Sequence, residues 1–393
     1  MTPDDHLVID TLTELIKFRS TTPPGDVSGV AGFVMRWGED LGAVLERQVV
    51  EVGKENILLT FDFGPGPILV FNTHMDVNNP AGQTWEIDPF EPTLKNGRMY
   101  GLGACDAKGS LSAMLVALKN LTSKPQGIHG KLILTAVMGE EAGGIGSLFL
   151  VSRGITADGV IVGEPTGLSV AIAHKGTYMR KIRFRGKEAH SASPHLGINA
   201  ISHAARFCVE YDRLNERLKD SPHPVLGPAN ASVTIIQGGT RQNTIPGFAE
   251  LIIDRRLVPG ETHAKADEEL TQILADLSIK IPDFSVEWVE RVVATIPSET
   301  DPGARIVHVA CEAAGKILNQ VCTPQAFNAG CDMSKFVTIA RIPTVILGPG
   351  HLSQAHSPNE FVDLNELEAA VKIYEAAARG FLSPGDGPRE ANG

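Results

Sequence analysis

Apolar positions recur at helical spacing in "DDHLVIDTLTELIKFRS", with Leu7, Leu12, Leu15 and Ile16 on one face. The prolines of "TTPPGD" cannot continue that helix. A second amphipathic helix is predicted over "AGFVMRWGEDLG", followed by strands over "AVLERQVV", "NILLTF" and "PILVFNTHMD". "GSLSAMLVALKNL" reads as a helix, "KLILTAVM" as a short buried strand closed by Gly139, and "GSLFLVSRG" as a helix. "ADGVIVGEPTG" is a further apolar strand ending in a polar turn. Apolar strands alternating with helices predict an α/β domain: a mostly parallel sheet with helices on both faces.

The pattern changes near Thr177. "YMRKIRFRG" alternates as a strand, "LGINAISHAARFCVEYDRL" is helical, and "ASVTIIQGG" and "GFAELIIDRRL" are strands. The helix "ETHAKADEELTQILADL" and the strand "DFSVEWVERVV" complete a β-α-β-β-α-β order, the ferredoxin-like arrangement. The first pattern resumes with "ARIVHVACEAAGKIL", "PTVILGPG" and the helix "DLNELEAAVKIYEAAARGFL". The expected organisation is a discontinuous catalytic domain, residues 1–176 and 294–393, interrupted by a smaller α+β domain over residues 177–293. The polar tail "SPGDGPREANG" has too little apolar content to pack.

At 393 residues and 42% hydrophobic, the chain has material for two cores. A net charge of -11 argues against a nucleic-acid or anionic-membrane partner. No signal peptide or bilayer-spanning stretch is visible, so a cytoplasmic location is expected. Cys105, Cys208, Cys311, Cys322 and Cys331 are odd in number and lack Cys-x-x-Cys spacing, which predicts reduced thiols rather than disulfides.

The acids and histidines at strand ends carry the chemistry. His74 and Asp76 close "PILVFNTHMD" on one side of an extended segment. Asp106 precedes a helix in "GLGACDAKGS", Glu140 and Glu141 follow "KLILTAVM", Glu164 lies in "VIVGEPTG" and His356 in "LSQAHSPNEF". The carboxyl ends of parallel strands open into a crevice, where such side chains converge. Adjacent carboxylates repel unless a positive charge sits beside them. Two imidazoles with several carboxylates suit zinc, or manganese or cobalt. Asp76 is placed to serve as an outer partner of His74. The glycines of "YGLGACDAKG" do not follow dinucleotide spacing, and no phosphate-loop lysine pattern is present.

These stretches, in this order, resemble the zinc aminoacylase/carboxypeptidase metallopeptidase family, which includes acetylornithine deacetylase, succinyl-diaminopimelate desuccinylase and glutamate carboxypeptidase. The resemblance runs over nearly the whole chain, through "RSTTPPGD", "FNTHMDV", "WEIDPFEPTLKNGRMYGLGACDAKG", "GEEAGGIGS", "GEPTGL", "GKEAHSASPHLGINAI", "RQNTIPG", "DRRLVPGE" and "LGPGHLSQAHSPNEFV". It implies one or two divalent metal ions, one held by His74 and Glu164, the other by Glu141 and His356, with Asp106 bridging. It further implies Glu140 as general base and His190 as the lid histidine that in family dimers reaches the partner's active site and steadies the oxyanion; Asp76 joins the catalytic set as the outer partner of His74. Asn243 would bind substrate, and Arg256 its α-carboxylate, with Arg255 competing for that role. The implied reaction is hydrolysis of the amide of an N-acyl amino acid or similar small carboxylate-bearing substrate. A carboxypeptidase, a dipeptidase or a hydrolytic deaminase would use the same set, and a non-catalytic metal-binding homologue is the further alternative. Family members dimerise through the insert, so a homodimer or higher homo-oligomer is expected. The chain departs from the family at Leu102, where arginine is frequent, at Ala107, where methionine is usual, and at Asn78 and Asn79.

Overall fold

The computed structural model describes residues 3–383, so the tail beyond Ser383 lies outside the described residues. The chain divides into two compact units. The larger comprises the residues up to Ile172, Thr300–Phe327 and those from Cys331 on; the smaller comprises Ala173–Glu299 and Asn328–Gly330.

In the larger unit four strands run parallel: Thr344–Ile346, Gly159–Val162, Ile68–His74 and Lys131–Val137, in that spatial order. The sheet then turns antiparallel. Lys54–Asp62 pairs antiparallel with Lys131–Val137, and Val44–Glu51 pairs antiparallel with Lys54–Asp62. The expected mostly parallel sheet is therefore parallel only at its centre. A tight turn at Val52–Gly53 joins the two outer strands, and so short a connection permits only antiparallel pairing. Burial follows this division: Ile68–His74 is almost wholly buried, whereas Val44–Glu51 is largely exposed.

The helices Pro3–Ile16, Lys108–Ser123, Arg305–Leu318 and Leu364–Leu382 pack on one another and share a core with Leu69, Phe71, Leu132 and Leu134. Phe71 meets Tyr374 with ring centroids 5.5 Å apart. The opposite face is more polar. There Asn72 Nδ2 donates to Thr135 Oγ1 at 2.9 Å, and Asn56 Nδ2 donates to the carbonyl of Gly146, in the short helix Ile145–Ser152. A side chain at Gly146 would strike the carbonyl of Met138, so only glycine lets this helix lie against the strand end.

The smaller unit is an antiparallel sheet in the order Asn230–Gly238, Phe248–Leu257, Gly176–Arg185, Ser285–Thr295. With the helices Ala200–Leu218 and His263–Lys280 this is the ferredoxin-like topology. Alternation along Phe248–Leu257 is regular, and Ala249, Leu251, Ile253 and Leu257 meet Phe207, Tyr211 and Leu270 in a separate core. No described helix is long and apolar enough to cross a membrane.

Phe71→Ala should lower stability by about 3–5 kcal/mol, the cost of emptying a fully buried aromatic site. A shift of the urea midpoint to lower concentration would register the loss, and an unchanged midpoint would contradict this account of the core.

Candidate metal centre

The parallel strands deliver the site. His74 ends Ile68–His74, Glu140 and Glu141 follow Lys131–Val137 past the turn at Gly139, and Glu164 follows Gly159–Val162. His356 lies in the loop beyond Thr344–Ile346, and Asp106 precedes the helix Lys108–Ser123. All six belong to the larger unit.

His74 is buried, and its Nδ1 lies 2.8 Å from the carbonyl of Asp76. That contact assigns the proton to Nδ1 and turns Nε2 toward Asp106 Oδ1 at 3.1 Å and Glu164 Oε1 at 4.0 Å. The other Asp106 oxygen lies 3.5 Å from His356 Nε2, which is 2.9 Å from Glu141 Oε2. Two triads result, His74–Asp106–Glu164 and Asp106–Glu141–His356, and within each the ligand-type atoms lie within 4.8 Å of one another. Asp106 belongs to both.

Asp76 contributes in a different way from the one its spacing implies. Its carboxylate lies 3.7 Å from His74 Nδ1, farther than its own carbonyl. The carboxylate instead accepts the amides of Glu140 and Glu141, at 3.2 and 3.3 Å, and the hydroxyl of Thr22 at 2.8 Å. It therefore fixes the backbone of the two glutamates.

Electrostatics test whether these residues fit a cation. Burial drives Glu164 well above the usual carboxylate range, and the Asp106 charge adds to it. Burial likewise raises Glu140 to about 8 despite the opposing charge of His74, and it raises Glu141. His356 is raised to about 9 by its hydrogen bond to Glu141. Burial disfavours the charged form of His74, but Asp106 and Glu164 outweigh it and raise His74 well above its ordinary value. The pocket thus carries excess negative charge that protons on imidazole and carboxyl groups relieve. A divalent cation would relieve it in their place. Among the described residues, Glu141 Oε1 is buried without a hydrogen-bond partner, as an oxygen reserved for a metal would be. The nitrogen and oxygen donors fit zinc, manganese or cobalt.

The remaining site candidates belong to the smaller unit. His190 pairs with Thr244 in a two-residue ladder, which brings it beside Asn243; both are exposed. Ala192 N donates to His190 Nδ1 at 3.1 Å, and Ser191 N donates to the carbonyl of Asn243. Arg256 is partly accessible and donates to Asp254 at 3.0 Å and to Thr177 Oγ1 at 3.2 Å. Arg255 is buried between Glu261 and Glu269, so its guanidinium is already engaged.

Three residues escaped the sequence reading. Glu360 and Lys108, both buried, lie beside the Asp106 loop, and Asp332 accepts the Ser147 hydroxyl at 2.7 Å near Glu140. Glu360 and Lys108 stand inside "HSPNEF" and "ACDAKG", but nothing in a linear sequence distinguishes them from solvated charges. The departures are local in effect. Leu102 packs with Val77 and Phe90 in a small apolar cluster, and Asn78 and Asn79 cap their own turn.

The family model for peptidase family M20/M25/M40 matches residues 70–380. The chain is 33% identical to an acetylornithine deacetylase of Proteus mirabilis over 352 residues, 88% of each protein. It is 31% identical to that of Aliivibrio salmonicida over 351 residues, 86% of this chain and 87% of that one. Among solved structures, an aminopeptidase from Bacillus cereus matches with a TM-score of 0.81 at 21% identity, covering 96% of this chain and 98% of that one. A dinuclear metal-binding M20 peptidase from Bacillus subtilis matches with a TM-score of 0.74 at 16% identity, covering 96% and 98%.

If Asp106 serves both triads, Asp106→Ala should lose nearly all divalent metal, whereas His356→Ala should keep the ion of the His74 triad. Elemental analysis after reconstitution with zinc, manganese or cobalt separates these outcomes. Wild-type metal content in Asp106→Ala would remove the shared-ligand role.

Proposed function

The chain belongs to peptidase family M20/M25/M40, and from that membership we propose a deacylase that cleaves the amide of an N-acyl amino acid or similar carboxylate-bearing substrate. It is a metal-dependent hydrolase of amide C–N bonds. The acetylornithine deacetylases among its relatives support N-acetyl amino acids as the substrate class. The observation that most supports the residue assignment is Asp106, shared by two triads, with Glu140 next to them and in neither.

In this reading His74 and Glu164 would hold one ion and Glu141 and His356 the other, with Asp106 shared between them. When bound there, divalent cations, zinc first and manganese or cobalt as alternatives, would supply Lewis acidity toward the scissile carbonyl and acidify water. Glu140 accepts the proton of the attacking water and, as the C–N bond breaks, passes it to the leaving nitrogen. Asp76 holds the Glu140 amide at 3.2 Å and so limits the carboxylate's wandering. In the homodimer, His190 reaches the active site of the second copy and donates to the developing oxyanion, while Asn243 binds substrate and Arg256 offers a planar fork to the α-carboxylate. The engaged state of Arg255 favours Arg256 for that last role.

The smaller unit acts as lid and as homodimer interface. Its edge strand Asn230–Gly238 exposes Ile235 and Ile236, and the helix Ala200–Leu218 exposes Ile201 and Val209; an unpaired apolar edge of this kind supports pairing with a second copy. We assign the enzyme to the cytoplasm. Cleavage of a dipeptide or of a carboxyl-terminal residue, or hydrolytic removal of an amine, is the second reading on the same residues.

Glu140→Ala should lower kcat by at least about 100-fold while leaving metal content intact, the scale of a lost general base. Loss of metal along with turnover would overturn the division between Glu140 and Glu141. His190→Ala should reduce kcat more than it raises KM, and unchanged kcat would exclude the oxyanion role. A panel of N-acetyl and N-succinyl amino acids, dipeptides and aminoaromatic acids should give the highest kcat/KM among the N-acyl compounds. A preference for dipeptides would favour the second reading.

A further inference from the structure

The segment "GLGACD", Gly101–Asp106, folds so that its amides converge on one carboxylate. Glu360 Oε1 accepts the amide of Cys105 at 2.8 Å and that of Asp106 at 3.0 Å, and the Gly103 amide is a further donor to the carboxylate. The Gly101 amide donates to the Glu360 carbonyl at 3.0 Å. Gly103 has φ 82°, and a Cβ there would meet the Lys108 side chain at 2.9 Å. Successive amides turned inward form a nest of the kind that captures external anions. Here the anion is internal, and Glu360 is 1% exposed. The Lys108 ammonium, itself fully buried and donating to the Phe18 carbonyl at 2.8 Å, lies within the electrostatic influence of Glu360 and Asp76. Glu360 also lies four residues beyond His356, so one side chain ties the loop of one candidate ligand to the loop of another.

We propose that Glu360 is a positioning residue for the ligand shared by the two triads: by drawing the Gly103, Cys105 and Asp106 amides around itself, it aims the Asp106 carboxylate between His74 and His356. This inference rests on the metal-dependent reading above. Glu360 touches neither substrate nor ion; it acts through Asp106.

The test is cobalt binding to chelator-stripped protein, followed by calorimetry and by visible absorption. Glu360→Ala should weaken cobalt affinity by about 10–100-fold, the usual effect of removing an outer partner of a metal ligand. Glu360→Gln keeps an acceptor oxygen and should stay within a few-fold of wild type. Formate, which can enter the vacated nest, should restore affinity to Glu360→Ala, and chloride at equal ionic strength should not. With cobalt saturating, KM should stay near the wild-type value in every variant. Should Glu360→Ala fail to fold, Glu360→Asp, one methylene short of the amides, replaces it, with the same weakening expected. Wild-type affinity and spectrum in a folded Ala or Asp variant would overturn the proposal, as would equal weakening in Gln and Ala variants with no response to formate. Wild-type protein that takes up no cobalt would instead overturn the metal reading, and this inference with it.

Discussion

Mutual repulsion among the carboxylates is the constraint on which the larger unit depends. Asp106, Glu140, Glu141 and Glu164 converge where burial already disfavours their charge, and three of the four are raised as a result. Asp106 is the exception. Burial opposes its ionisation, but the His74 hydrogen bond and the charges of His74 and His356 prevail and hold it below the usual carboxylate range. A cluster like this survives folding only if the scaffold around it is stiffer than the forces pushing it apart. The stiffness comes from four parallel strands, buried along most of their length, whose ends lie side by side.

That scaffold explains how dispersed residues form one site. The parallel register sets Asn72, Thr73 and His74 beside Thr135, Ala136 and Val137, so the turn carrying Glu140 starts level with His74. Gly163 N donates to the Asn72 carbonyl, bringing Glu164 in from the other side. His356 arrives differently. It lies in a loop with φ 59°, a conformation uncommon for a residue with a side chain, and Gln83 Nε2 holds its carbonyl at 2.9 Å. A backbone so constrained fixes the imidazole although its ring is half-exposed.

Much of this was legible in the sequence because the signals are local. Helices such as Lys108–Ser123, strands such as Ile68–His74 and the β-α-β-β-α-β order follow from periodicity and breakers within short windows. The antiparallel flank was not legible, since pairing partners are a property of the fold and apolar runs alone do not distinguish directions. The small sheet of Thr93–Lys95, Arg98–Tyr100 and Phe361–Asp363 was missed for the related reason that three-residue strands carry no period. Among site residues, the candidate ligands stood out by residue type at strand ends. Glu360 and Lys108 did not, because their role depends on backbone amides and carbonyls, which every residue possesses.

The adjacency of Glu140 and Glu141 follows from the same geometry. Asp76 accepts both of their amides, so the two residues share one anchor and their side chains must diverge from it. Glu141 reaches His356 at 2.9 Å and joins a triad, while Glu140 is left near His74, Asp332 and Lys335 without entering either triad. On the proposed assignment, neighbouring positions would give one acid to hold a cation and one to carry a proton, with the Asp76 carboxylate anchoring the amides of both.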